Sequence, residues 1–120
     1  GLRGVVRGAI RYVPDRGDLV WLEFDPQAGH EQSGRRPALV LSPALYNDRA
    51  GLALFCPITN QVKGYPFEVP LPPGLRITGA ILADQVRSLD WLARKARRAD
   101  RAPAEVVRAT TEHILTLLPD

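Results

Sequence analysis

The sequence predicts a small, strongly bent antiparallel β-barrel or sandwich closed by one C-terminal helix. Three observations point there. Short apolar runs recur at spacings of roughly ten residues, 11 prolines and 10 glycines punctuate them, and only the final segment changes to a helical period. A chain of 120 residues is long enough for one core and too short for two ordinary ones.

The elements follow in order. GDLVWLEFDP alternates Val20, Leu22 and Phe24 against Leu19, Trp21 and Glu23 between Gly17 and Pro26, which is the pattern of a strand. PALVLSP, entered through Arg35 and Arg36, is a second strand that stops at Pro43, and Tyr46 to Gly51 reads as a helical turn or loop. LALFCPIT is a third apolar run, with Pro57 marking an edge or bulge near its end. FEVPLP is a weaker fourth, and GAILADQVRSLDWL opens as a strand at Gly79. DWLARKARRA fits either a strand or a helix by periodicity. In PAEVVRATTEHILTLLP, Val107, Thr111, Ile114 and Leu118 recur at helical spacing; Pro103 suits a first helical position, Glu105 favours the first turn, and Pro119 supplies a stop.

Charge is unevenly spread. The net charge is +3, yet Arg3, Arg7 and Arg11 precede the first acid, so residues 12–120 carry 13 basic and 13 acidic groups. We therefore expect a basic N-terminal extension over 1–11 and one folded domain over 12–120. A second basic cluster, Arg94, Lys95, Arg97, Arg98 and Arg101, is opposed locally by Asp100 alone. It reads either as a solvated edge or as a phosphate-holding surface. The lone Cys56 sits in apolar LALFCP, so it is expected to be a buried thiol in a reducing cytoplasm. No apolar stretch reaches the ~20 residues of a spanning helix, so no membrane association is expected.

His30, His113 and Cys56 are too far apart in sequence for a short-spaced zinc motif, and no metal or cofactor is expected. His113 falls among Ile114 and Leu115 on the helix, where packing is the ordinary role; His30, beside Glu31 in a glycine-containing loop, is the better acid–base candidate. The remaining polar groups gather at strand ends. Glu31, Arg35 and Arg36 precede one strand, Thr59, Asn60, Gln61 and Lys63 follow another, and Asp84 and Gln85 fall in a third. Their chemistry suits a phosphodiester, because a guanidinium fork and a hydroxyl both donate to phosphate oxygens that gain charge during transfer. The same residues also admit plainer roles, an Arg36–Glu31 surface pair and an ordinary turn at Thr59–Asn60.

YVPDRGDLVWLEFDP, GHEQSGRRPALVLSPALYN, FCPITNQVKGYPFEV and ILADQVRSLDW resemble, in order and spacing, the MazF/PemK family of bacterial toxins. The likeness spans about residues 12–92 and thins beyond Trp91. It implies an SH3-like barrel of the MazF/CcdB/Kid type, a homodimer, and a toxin that cleaves single-stranded mRNA sequence-specifically without metal. Such cleavage proceeds by 2′-hydroxyl attack and leaves a 2′,3′-cyclic phosphate and a 5′-hydroxyl. The resemblance assigns catalysis to Arg36 and Thr59 with Glu31 beside them; it gives Arg35 no catalytic part, only that of a basic neighbour to RNA. Candidate RNA contacts are the loop Asp25 to Gly34 with His30, then Asn60, Gln61, Lys63, Tyr65, Asp84 and Gln85. The implied partner is a MazE-like antitoxin with an acidic tail. Two other classes compete: a CcdB-like gyrase-binding toxin, whose Trp-containing terminal motif is missing from TLLPD, and a non-catalytic RNA-binding module.

Overall fold

The computed structural model describes residues 11–24 and 34–120. Most of the expected extension and the loop holding Asp25, His30 and Glu31 lie outside those residues. The expected mainly β fold with a C-terminal helix is the architecture observed. Its elements are β1 (Asp18–Glu23), β2 (Arg35–Val40), α1 (Ala44–Ala50), β3 (Ala53–Thr59), β4 (Glu68–Pro70), β5 (Ala80–Leu82), β6 (Arg87–Leu89), β7 (Arg97–Arg101) and α2 (Ala104–Leu115). Among the described residues the strands form one antiparallel sheet in the order β4-β5-β3-β2-β1-β7, with β6 also on β3.

Alternation along the strands fills both faces. Leu19, Leu39, Cys56, Ile58 and Ile81 pack with Val106 and Val107 of α2 on one face. Val20, Leu22, Phe24, Ala38, Val40, Phe55, Leu89 and Trp91 fill the other. Residues on the two faces are a strand's odd and even positions, so a one-residue slip would exchange the two sets.

Three segments differ from expectation. The strand opening at Gly79 is broken into β5 and β6 by a 3₁₀ turn over Ala83–Gln85, so Asp84 and Gln85 lie in a turn and not in a strand. DWLARKARRA is neither one strand nor one helix: Trp91–Lys95 form a turn, closed by Lys95 N–H to Leu92 O at 3.0 Å and Ala96 N–H to Trp91 O at 3.0 Å, and β7 follows. Pro103 is the N-cap of α2, not its first helical residue, and the helix ends at Leu115, short of Pro119. The reason is burial. Val106, Val107 and Thr110 are its buried residues, whereas Leu118 is 65% exposed, so without burial the last residues relax into tighter turns, Leu117 N–H to Ile114 O at 2.9 Å and Leu118 N–H to Leu115 O at 3.1 Å.

A buried polar hub ties the first third of the chain together. Asn47, on α1, is fully buried; its Nδ2 donates to Pro14 O at 2.8 Å and Ser42 O at 2.9 Å, and its Oδ1 accepts from Ser42 Oγ at 2.6 Å. Its carbonyl accepts the Trp91 indole N–H at 2.9 Å. Nearby, buried Asp18 accepts from Tyr12 Oη and from Arg101 at 2.7 Å. Burial and that hydrogen bond raise the Tyr12 pKa well above its ordinary value.

Candidate active site

The site is built where β2 begins and β3 ends. The β2–β3 ladder pairs Val40 with Phe55, Leu39 with Cys56 and Ala38 with Pro57. Beyond it β2 extends three residues, through Arg36 to Arg35, and β3 two, to Thr59. Pro37 and Pro57 lack the N–H that would continue the ladder, so this end stands open. By alternation Arg36 shares the face of Ala38 and Val40, and Thr59 that of Pro57 and Phe55, the same side of the sheet. Pairing of Arg36 with Leu22 agrees. Arg35 pairs with Glu23 instead and donates from Nη2 to Trp21 O at 3.3 Å. The doubled arginine thus divides, one side chain on each face.

Thr59 is fixed by its neighbours. It pairs with Ala80 of β5, and the approach of the β5 entry requires glycine: at Gly79, with φ +117°, an added Cβ would stand 2.1 Å from Thr59 O. The Thr59 hydroxyl accepts the Gln61 N–H at 3.0 Å. Its own proton stays available for donation.

Asp84 and Gln85 reach the site through a register slip. β5 and β6 both lie along one edge of β3, and between the Ile58–Ile81 and Phe55–Arg87 pairs the three residues of a short 3₁₀ turn, Ala83–Gln85, are pushed out of the ladder. Ala83 is buried while Asp84 and Gln85 are exposed. A cavity of about 190 Å³ results, in which Thr59, Gln61, Lys63, Tyr65, Asp84 and Gln85 come together with Phe67, Glu68 and Leu82. Asn60 is directed elsewhere: its Oδ1 accepts the Thr78 hydroxyl at 3.0 Å. Arg36 is not among the cavity's lining residues. It stands across the open strand ends from Thr59.

Glu68 is the residue that sequence reasoning missed. Its carboxylate accepts the backbone N–H of Lys63 at 3.1 Å, of Gly64 at 2.7 Å and of Tyr65 at 3.2 Å, so one side chain holds the loop that carries the cavity's polar rim. Such charge-assisted bonds are stronger than neutral ones. The available signal was an acid just after the Gly64-Tyr65-Pro66 turn. Arg87 was also missed; its guanidinium lies 5.4 Å from the Phe24 ring centroid, on the Arg36 face.

Two groups are structural. His113 Nδ1 sits 2.7 Å from Ala109 O, and its ring packs edge-on to Phe67 at 5.8 Å. Cys56 is buried behind the site, where desolvation, aided by the Asp84 charge, pushes its pKa up to about 12. It is a packing thiol.

Fold and site together define a small mainly β protein that gathers cationic, hydroxyl and amide side chains at one open end of its sheet. Comparison with known proteins narrows that class. Residues 15–118 match the family described as "PemK-like, MazF-like toxin of type II toxin-antitoxin system". The chain is 55% identical over 97 residues to the endoribonuclease toxin MazF of Escherichia coli K12, covering 80% of this chain and 86% of that protein. The crystal structure of MazF from Deinococcus radiodurans superposes with a TM-score of 0.82 at 57% identity, covering 90% and 98% of the two chains. MazF in a MazE–MazF complex from the same organism gives 0.81 at 52%, covering 90% and 97%. The chain belongs to the PemK-like, MazF-like toxin family of type II toxin–antitoxin systems.

Proposed function

We propose that the protein is an endoribonuclease toxin that cuts single-stranded RNA at the open end of β2 and β3. The observation that carries this is the placement of Arg36 and Thr59 on one face at that end, in a chain whose relatives are named endoribonucleases. The ribose 2′-oxygen attacks the adjacent phosphorus, the bond to the 5′-oxygen breaks, and a 2′,3′-cyclic phosphate and a 5′-hydroxyl form. The phosphoryl group gains negative charge on the way. Arg36 clamps it with its planar fork of donors, and Thr59 donates its hydroxyl proton to a non-bridging oxygen. Glu31, outside the described residues, takes the 2′-proton or orients Arg36, and the leaving 5′-oxygen receives a proton in turn. Arginine is the poorer base, since its pKa above ~12 makes neutral guanidine costly.

Gln61, Lys63, Tyr65, Asp84 and Gln85 surround a cavity with room for a base rather than a chain. In this reading they read an unstacked nucleotide next to the cut, with Asp84 and Gln85 meeting its polar edge and Tyr65 stacking. Asn60, bonded to Thr78, sets the turn. Arg35 and His30 flank the RNA path. A MazE-like antitoxin would cover this same end, and the protein would act in the cytoplasm as a homodimer. No helix among the described residues is long and apolar enough to cross a membrane.

The test is a 5′-labelled RNA incubated with the protein in EDTA. Expected are fragments with 2′,3′-cyclic phosphate and 5′-hydroxyl ends, and full resistance when the nucleotide before the cut is 2′-deoxy. Binding without cleavage would favour the non-catalytic module; neither binding nor cleavage would favour a gyrase-directed toxin.

A further inference from the structure

The basic cluster of the sequence forms a second cavity, of about 500 Å³, lined by Arg11, Tyr12, Lys95, Arg97 and Arg98 over Trp91 and Leu92. Its lining holds four cations and no carboxylate among the described residues. Beside the lining, buried Asp18 lies 3.8 Å from Arg98 and is already bonded to Arg101, and Asp100 also faces Arg98. Arg98 is thus partly compensated, while Arg11, Lys95 and Arg97 are exposed at the rim. Lys95 has φ +57°, the one positive φ outside glycine among the described residues. Holding a lysine there costs about 1 kcal/mol, a cost commonly kept where a side chain must be aimed.

The sheet register relates this cavity to the active site. Trp21 of β1 pairs with Arg97 on one side and with Pro37 on the other, so Arg97 and Pro37 are two strand spacings apart, about 10 Å. Arg36 is the residue next to Pro37. Arg98, which pairs with Val20, shares the face of Arg36, which pairs with Leu22 of the same core cluster, whereas Arg97, opposite Trp21, lines the cavity from the other side of β7. An RNA strand clamped at Arg36 with its neighbouring nucleotide in the Thr59–Asp84 cavity therefore has, on the opposite side of Arg36, a carboxylate-free basic hollow within a few nucleotides' reach.

We propose that this cavity binds backbone phosphates of the substrate RNA on the side of the scissile link away from the base-reading cavity, extending the enzyme's footprint without reading sequence. It rests on the endoribonuclease reading above. Phosphates held by Lys and Arg set register and affinity and carry no base information, so the cavity acts on substrate capture rather than on the chemical step.

The experiment compares a minimal RNA just spanning the cut with the same RNA lengthened by unstructured nucleotides on its 5′ or its 3′ side. For the unaltered protein, one extension raises kcat/KM about tenfold, the value of one or two charge-assisted phosphate bonds, and steepens its salt dependence. In the Lys95→Gln/Arg97→Gln double variant that gain disappears, the salt slope falls by about 0.7 per lost contact, and cleavage of the minimal RNA is unchanged, which also shows that the variant folds. A gain retained by the double variant, or absent from the unaltered protein with both extensions, overturns the proposal. So does unchanged cleavage of every RNA combined with weakened binding of an acidic antitoxin peptide, which would assign the cavity to a protein partner. No cleavage of any RNA by the unaltered protein would instead strike the endoribonuclease reading itself.

Discussion

Two polar assemblies in this molecule use the same chemistry to opposite ends. Around Asn47, a fully buried amide has both its donors and its oxygen engaged within the core, through Pro14 and Ser42. At the end of β3, Glu68 gathers the N–H groups of Lys63, Gly64 and Tyr65 in an exposed loop. The first assembly has no capacity left for a ligand. The second satisfies the loop's backbone and so leaves the Thr59, Gln61, Lys63 and Tyr65 side chains to face a cavity. A buried network stabilises because leaving any member unsatisfied is costly; an exposed one earns its place by positioning.

Substitutions can break that contrast from either side. The largest effect on function is expected for Arg36→Ala, with the cleavage rate on a labelled RNA falling at least about 10²–10³-fold, the cost of removing one strong transition-state donor, and with an unchanged unfolding midpoint. Substantial remaining activity would remove Arg36 from the phosphate. Asn47→Ala should do the reverse: it strands the Ser42 hydroxyl and two buried carbonyls, costing about 3 kcal/mol in urea unfolding, while the protein still folded cleaves at its normal rate. Glu68→Ala falls between. Loosening the 63–65 backbone should raise KM about tenfold with little change in kcat or stability, consistent with charge-assisted bonds worth about 1.5–3 kcal/mol, and Glu68→Gln should recover part of the loss; an equal fall in kcat would place Glu68 in the chemistry.

The smallest effect concerns Cys56. Its folded pKa is raised to about 12, so its contribution to stability is intact below the unfolded thiol value near ~8.5 and is lost as pH rises from there through the folded pKa. Native protein should resist a thiol reagent at pH 8, and Cys56→Ala should flatten the alkaline decline of the unfolding midpoint. Ready labelling of the native thiol would contradict its burial.

Much of this was legible before any coordinates. Alternation in GDLVWLEFDP and PALVLSP marked β1 and β2 because each face of a strand must meet its own environment, and Arg36 and Thr59 were named from strand ends. The turn and strand in DWLARKARRA were not separable, since the short apolar signal fits two periods and Lys95 takes a backbone conformation that glycine usually announces. Helix α2 was visible, but its end was set by what it packs against rather than by Pro119. Glu68 was invisible because its partners are backbone N–H groups, which every residue carries.

The sequence by itself determined the β pattern, the terminal helix, the buried thiol and the residue types suited to a phosphodiester, because these follow from local periodicity and side-chain chemistry. Only the tertiary structure decided which of those groups meet. Register placed Arg36 and Arg98 on one face, a three-residue slip brought Asp84 to Thr59, and Gly79 let two strands close at the site. Each depends on contacts between segments far apart in the chain, where no local pattern records the partner.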